Sequence, residues 1–295
     1  MNYPMARSQN LPVALIQMSC TSDPSTNVKV ALDRIAWAAR KGAKLVCLPE
    51  LFRSLYFCRN QDYKAFELAE TIPGPTTRLL SLAAKKHRIT LVSSLFEKRA
   101  GGLYHNTAVV FGPTGKILGT YRKMHIPDDP GFNEKFYFTP GDTGFQPIDT
   151  PVGRLGVLVC WDQWYPEAAR LMALRGAQIL IYPTAIGWAR GEKKEICETQ
   201  RSAWQTIQRS HAIANGLFVL SINRTGWERN LNFWGSSFVS NPLGHGIAQA
   251  STNRPEVLQA SLPLSEITTT RQHWPFLRDR RIDAYGGLDQ RFLRS

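Results

Sequence analysis

The sequence predicts an α/β protein: one domain of four layers, two β-sheets packed face to face with helices outside. Three observations predict it. Apolar, β-branched runs bounded by turn residues recur along the chain of 295 residues, each with the composition of a strand. Segments of helical period separate several of them. The strands are also too many for a comfortable single open sheet, so two packed sheets are expected.

The elements follow in order. Residues 11–17 form the first strand. Residues 27–40 follow as a helix that gathers Val28, Ala31, Leu32, Ile35, Ala38 and Ala39 on one face and stops at Gly42. After a strand at 44–48, residues 76–87 repeat the helical pattern with Leu79, Leu80, Leu82 and Ala83. Strands at 89–96, 107–111 and 117–121 come next. Gly112-Pro113-Thr114-Gly115 joins the last two as an antiparallel hairpin. A strand at 154–160 leads into a helix at 166–175, opened by Pro166 and closed by Gly176. A strand at 178–183, a long helix at 195–215 ending at Gly216, and strands at 217–222, 233–240 and 257–262 complete the chain.

Composition bounds the function. Residues 1–295 read as a single domain, with no internal repeat, low-complexity tract or linker. Apolar runs are too short to span a bilayer. The opening MNYPMARSQN has one arginine and no long apolar stretch, so no signal peptide is expected. Five cysteines without a C-x-x-C pair argue against a disulfide framework and a zinc ribbon, and for a reducing compartment. Cytoplasm is the expected location. The net charge of +13 raises the question of a nucleic-acid or anionic-membrane partner. The cations are interleaved with acids, as in Glu192-Lys193-Lys194-Glu195 and Arg278-Asp279-Arg280-Arg281, and no nucleic-acid-binding motif occurs. Neither partner is expected.

Three strand ends carry reactive groups. Cys160 closes the run Gly156-Val157-Leu158-Val159 and precedes a helix, the position where sites of α/β proteins gather. A positive field there would favour the thiolate over a free thiol of pKa about 8.5. A small buried packing residue fits the same setting equally well. Glu50 ends Leu45-Val46-Cys47-Leu48-Pro49, where partial desolvation suits a general base. Lys123 follows the strand at 117–121, where an ammonium can stabilise an oxyanion. Each, taken alone, also reads as a solvated strand-end charge. No G-x-S-x-G, P-loop or G-x-G-x-x-G occurs, and the six histidines are isolated, so no metal cluster is expected. A Cys–His pairing in space stays open.

Together, Leu48-Pro49-Glu50-Leu51-Phe52, Tyr121-Arg122-Lys123-Met124-His125 and Val159-Cys160-Trp161-Asp162 resemble the nitrilase superfamily in order and in their spacings of 73 and 37 residues. His125-Ile126-Pro127-Asp128-Asp129-Pro130-Gly131, Cys160 to Glu167 and Phe276-Leu277-Arg278-Asp279-Arg280-Arg281 are similar to its N-carbamoylputrescine amidase branch. The resemblance covers residues 12–285, departs slightly around residues 53–59, and implies the four-layer α-β-β-α sandwich. It further implies Cys160 as nucleophile, Glu50 as general base, Lys123 with the Trp161 N–H as oxyanion hole, and Glu134 in support. No metal or organic cofactor is implied. A homo-oligomer is, assembled through an extended tail from about residue 270.

Between Thr120 and Glu167, four Lys and Arg face seven acids, a local net charge of −3 in a basic chain. Such a field focuses cations into a cleft. Tyr56, Phe57, Trp161 and Trp188 are expected to line an alkyl pocket with cation–π capacity, and Asp128 is among the acids expected to meet the amine. The expected substrate is a cationic carbamoyl amine, N-carbamoylputrescine, cleaved to putrescine, carbon dioxide and ammonia in polyamine synthesis. The alternatives are a related hydrolase of carbamoyl amino acids, ω-amides or nitriles, and a basic nucleic-acid-binding protein with a vestigial fold.

Overall fold

The structure, a computed structural model, describes residues 10–293. Its first half runs β1 (Asn10–Gln17), α1 (Pro24–Arg40), β2 (Leu45–Cys47), α2 (Pro75–His87), β3 (Thr90–Ala100), β4 (Leu103–Phe111) and β5 (Ile117–Arg122). A short hairpin, β6 (Asp128–Asp129) and β7 (Phe132–Asn133), leads to the second half. That half runs β8 (Ile148–Thr150), β9 (Gly153–Val157), α3 (Pro166–Leu174), β10 (Ile179–Thr184), β11 (Gly187–Ala189), α4 (Lys194–Asn215), β12 (Phe218–Asn223), β13 (Thr225–Glu228), β14 (Leu231–Trp234), β15 (Phe238–Ser240) and β16 (Gly246–Gln249). β17 (Glu256–Pro263) and α5 (Ser265–His273) follow.

Two six-stranded sheets, ordered β17-β1-β2-β3-β4-β5 and β8-β9-β10-β12-β15-β16, form the body of the fold, beside a small sheet β11-β14-β13 and the β6–β7 hairpin. Read in these directions, both have one pattern of pairing: antiparallel, parallel, parallel, antiparallel, antiparallel. The fold therefore repeats a topology that the sequence does not repeat. Alternation with period two sorts the side chains. Val13 and Leu15 face the core shared with Leu155, Val157 and Ile179 of the second sheet. Ala14 and Ile16 face Val28 and Ile35 of α1 and Leu80 of α2. Met172 of α3 and Trp204 of α4 pack on the second sheet. This is the four-layer α-β-β-α sandwich expected from the sequence.

Several boundaries differ from expectation for identifiable reasons. The 154–160 strand ends at Val157, because the chain turns into the 3₁₀ turn Cys160–Trp164. The 233–240 strand divides into β14 and β15, because Gly235 and Ser236 both take positive φ. On α2, Leu79 and Leu82 point to solvent, and Leu80, Ala83 and Ala84 carry the packing. α5 occupies Ser265–His273, so the extended tail begins at Trp274 rather than near 270. Among the described residues, no helix is long and apolar enough to cross a membrane.

Candidate active site

Glu50, Lys123 and Cys160 stand beyond the ends of β2, β5 and β9. The backbone N–H of Glu50 donates to the Thr184 carbonyl at the end of β10 (3.4 Å), which ties the two sheets together at the site. Lys123 Nζ donates to Glu50 Oε1 at 2.8 Å and to Glu134 Oε2 at 2.6 Å. Asn106 Nδ2 donates to the same Glu50 oxygen at 2.6 Å, and Ser94 orients the amide by donating to its Oδ1. Tyr56 Oη donates to Glu134 Oε1 at 2.7 Å. All these side chains are buried. Glu50 Oε2 has no hydrogen-bond partner among the described residues, so one carboxylate oxygen stays able to accept a proton.

Two buried carboxylates share one ammonium here, and a full set of charges would leave a net −1 in a low-dielectric pocket. Burial, with Glu50 adding to it, pushes the Glu134 carboxyl up to about 7 against the opposing pull of Lys123. Burial also works against the Lys123 charge, but Glu134 and Glu50 outweigh it and the ammonium is held protonated. The Cys160 thiol goes the opposite way from the sequence expectation. Burial and the Glu50 charge push it well above the ordinary cysteine range, and Lys123 only partly offsets them. At rest the sulfur is a thiol, and it needs a base. Its backbone has φ +45°, and Leu51 beside Glu50 has φ +49°. Non-glycine residues in this left-handed region cost on the order of 1–3 kcal/mol and persist where surrounding contacts fix them.

For Cys160 the fixing group is Asp162. Its fully buried carboxylate accepts from Val159 N (2.9 Å), Tyr121 Oη (2.8 Å), His125 N (3.0 Å) and His125 Nδ1 (2.7 Å). It therefore clamps the segment bearing the cysteine to the segment bearing the lysine. Its oxygens are fully engaged, so it is no substrate-facing acid, contrary to the local charge count.

A cavity of about 440 Å³ opens above Cys160. Its wall contains Asp129, Glu134, Glu192, Trp161, Trp164 and Trp234, and no Lys or Arg among the described residues. Of the expected pocket residues, Trp161 is in place. Asp128 is exposed in the β6–β7 hairpin, and its neighbour Asp129 reaches the wall, because successive strand residues point to opposite sides. Tyr56 lies behind the cavity, its hydroxyl spent on Glu134. Trp188 packs against Trp234 at 5.2 Å, and Trp234 supplies the lining face. Phe57 belongs to an aromatic cluster with Phe96, Tyr137 and Phe138. Sequence reasoning missed Asn106 and Glu192. A buried asparagine inside the strand run His105-Asn106-Thr107 was the available signal for the first; the second carries none. Among the described residues, no three His, Cys, Asp or Glu side chains are grouped as a metal would require.

Two sheets of one topology meeting at a buried cysteine, lysine and pair of glutamates define a carbon–nitrogen hydrolase. Residues 12–272 match the carbon-nitrogen hydrolase family model, and the chain belongs to that family, within the nitrilase superfamily expected from the three strand-end motifs. It is 40% identical to a citrullinase of Francisella tularensis, over 96% of this chain and 99% of the relative. It is also 40% identical to the N-carbamoylputrescine amidase of Solanum lycopersicum, over 95% of both chains. The crystal structure of a carbon-nitrogen hydrolase from Helicobacter pylori G27 superposes with a TM-score of 0.94 at 48% identity, covering 97% of this chain and all of the other.

Proposed function

We propose that this hydrolase cleaves N-carbamoylputrescine to putrescine, carbon dioxide and ammonia, with Cys160 as nucleophile. The Cys160 proton passes to the free oxygen of Glu50 as sulfur attacks the carbamoyl carbon. Lys123 and the Trp161 N–H stabilise the oxyanion. Collapse breaks one C–N bond, the leaving nitrogen takes the proton held by Glu50, and a thioester remains. Glu50 then deprotonates water for its hydrolysis, and the carbamate product loses carbon dioxide. A thiol held protonated fits this sequence, because attack and proton removal must then coincide.

The observation that carries the substrate is the cavity wall: two acids with no partner at the floor, Asp129 and Glu192, and no lining cation among the described residues. A terminal ammonium is favoured there. L-citrulline offers the same carbamoyl group and an ammonium, but its carboxylate would face like charge without an arginine or lysine. The test is kcat/KM for ammonia release from each. A gap of roughly 10²-fold or more favouring N-carbamoylputrescine is expected, and a preference for citrulline overturns the assignment. The tail after Trp274 exposes Ile282, Leu288 and Phe292, which supports its use in oligomer contacts. Removing residues 274–295 and measuring mass by light scattering tests this.

A further inference from the structure

A second buried ion pair lies behind the first. Arg224 follows β12 and is fully buried, and Glu228 ends β13. Arg224 Nη1 donates to Glu228 Oε1 at 2.8 Å. Arg224 Nη2 donates to the carbonyls of Leu51 (2.6 Å) and Ser54 (2.9 Å). The other oxygen of Glu228 accepts from the Tyr56 N–H at 2.6 Å. Two residues on one strand connection thus hold three backbone groups of the loop that follows Glu50. The guanidinium also lies 5.3 Å from the Phe233 ring.

The consequences run to the reacting groups by two routes. Leu51 is the residue of positive φ next to Glu50, and its carbonyl is one that Arg224 grips. Left-handed backbone at a leucine reverts unless something holds it. Tyr56 is the second route: its N–H is fixed by Glu228, its hydroxyl by Glu134, and Glu134 in turn holds Lys123. Burying a charge pair is costly, and replacing one by apolar residues is often neutral or stabilising. Stability alone therefore gives a weak reason for Arg224 and Glu228 to be here.

We infer that Arg224 and Glu228 are positioning residues for the reaction: they hold the loop after Glu50 so that the base and Lys123 share one hydrogen-bonded frame. This rests on the reading of Glu50 as general base. Neither residue lines the substrate cavity, so their contribution falls on kcat and not on KM. A loss confined to kcat, with KM kept, is a signature that a purely structural role lacks.

The experiment uses the full chain with Arg224→Lys, Arg224→Gln, Glu228→Gln and, as reference, Glu50→Gln, each checked for native circular dichroism. In Arg224→Lys and Glu228→Gln, kcat should fall about 10- to 100-fold, the scale of small misplacements of reacting groups, with KM within about twofold. Arg224→Lys, which keeps the cation, should retain more kcat than Arg224→Gln, which loses the grip on Leu51 and Ser54. If Arg224→Gln fails to fold, Glu228→Gln and Arg224→Lys still decide. Wild-type kcat in those two, with Glu50→Gln inactive, overturns the positioning role alone. A fully active Glu50→Gln overturns the general-base reading beneath it.

Discussion

The floor and the rim of the cavity are built by opposite means. At the floor, Glu50, Lys123, Glu134 and Asp162 are all buried, and each is fixed by at least two hydrogen bonds to named partners. At the rim, Asp129 sits in a two-residue strand of a short hairpin and Glu192 in the turn before α4, both exposed. Charge in the interior is tolerated only with its partners in place, whereas charge at a wet rim is screened and replaceable. Under the proposed mechanism, chemistry falls to the floor and selection among substrates to the rim.

The largest effect expected is at the sulfur. Cys160→Ala should release no measurable ammonia while keeping its melting temperature near wild type. Cys47→Ala, in the packed core, should do the reverse: full turnover with some loss of stability. Wild-type turnover by Cys160→Ala would sink the division at its root. Next, Glu50→Gln and Lys123→Ala should each lower kcat by about 10²-fold or more. Both should also slow alkylation of Cys160 by iodoacetamide. Lys123→Ala strands two buried carboxylates, a change that costs about 3–5 kcal/mol when a buried pair is broken, so urea midpoints should be measured beside the rates.

Changes at the rim should be smaller and of another kind. Asp129→Asn and Glu192→Gln should raise KM for N-carbamoylputrescine several-fold with kcat preserved, and 0.5 M salt should shrink the effect as exposed charges are screened. A tenfold loss of kcat in either would erase the distinction between floor and rim. The smallest effect concerns pH. Glu134 has a native pKa of about 7 against an ordinary 4.5, so the native state binds the extra proton between those values. Its contribution is fully present below about 4.5 and is lost as pH rises through about 7. Wild type should therefore lose thermal stability relative to Glu134→Gln across that window. A difference independent of pH would mean that Glu134 is ionised throughout.

The same contrast explains what the sequence made legible. Glu50, Lys123 and Cys160 each carried only a weak local signal, a charge or thiol after an apolar strand, and were singled out by the order and spacing in which the three motifs resemble the superfamily. Arg224 carries that signal too, after the apolar run 217–222, and its partner Glu228 is only four residues on, but its grip on Leu51 and Ser54 reaches across about 170 residues of chain. Which of Asp128 and Asp129 reaches the cavity was not legible, because nothing in the sequence announces a hairpin with strands of two residues, and a one-residue slip reverses a side chain. Burial opposes the thiolate that the helix-start field alone would favour at Cys160. The strand count predicted two sheets, and the shared topology of those sheets was invisible because the apolar pattern recurs without recurring residues.

The pairing of β1 with β17 has a consequence for how this chain reaches its native state. The register runs unbroken from Asn10 opposite Pro263 to Gln17 opposite Glu256, and the Gln17 side chain reaches on to the carbonyls of Ser251 and Arg254. During synthesis, the first strand emerges long before its neighbour exists. Until then it presents an unpaired apolar edge, the feature most prone to joining another chain. Closing so long a loop is also slow, because its entropy is lost before the contact rewards it. A ribosome stalled before residue 256 would hold a nascent chain with its first sheet open, a substrate for chaperones rather than an enzyme.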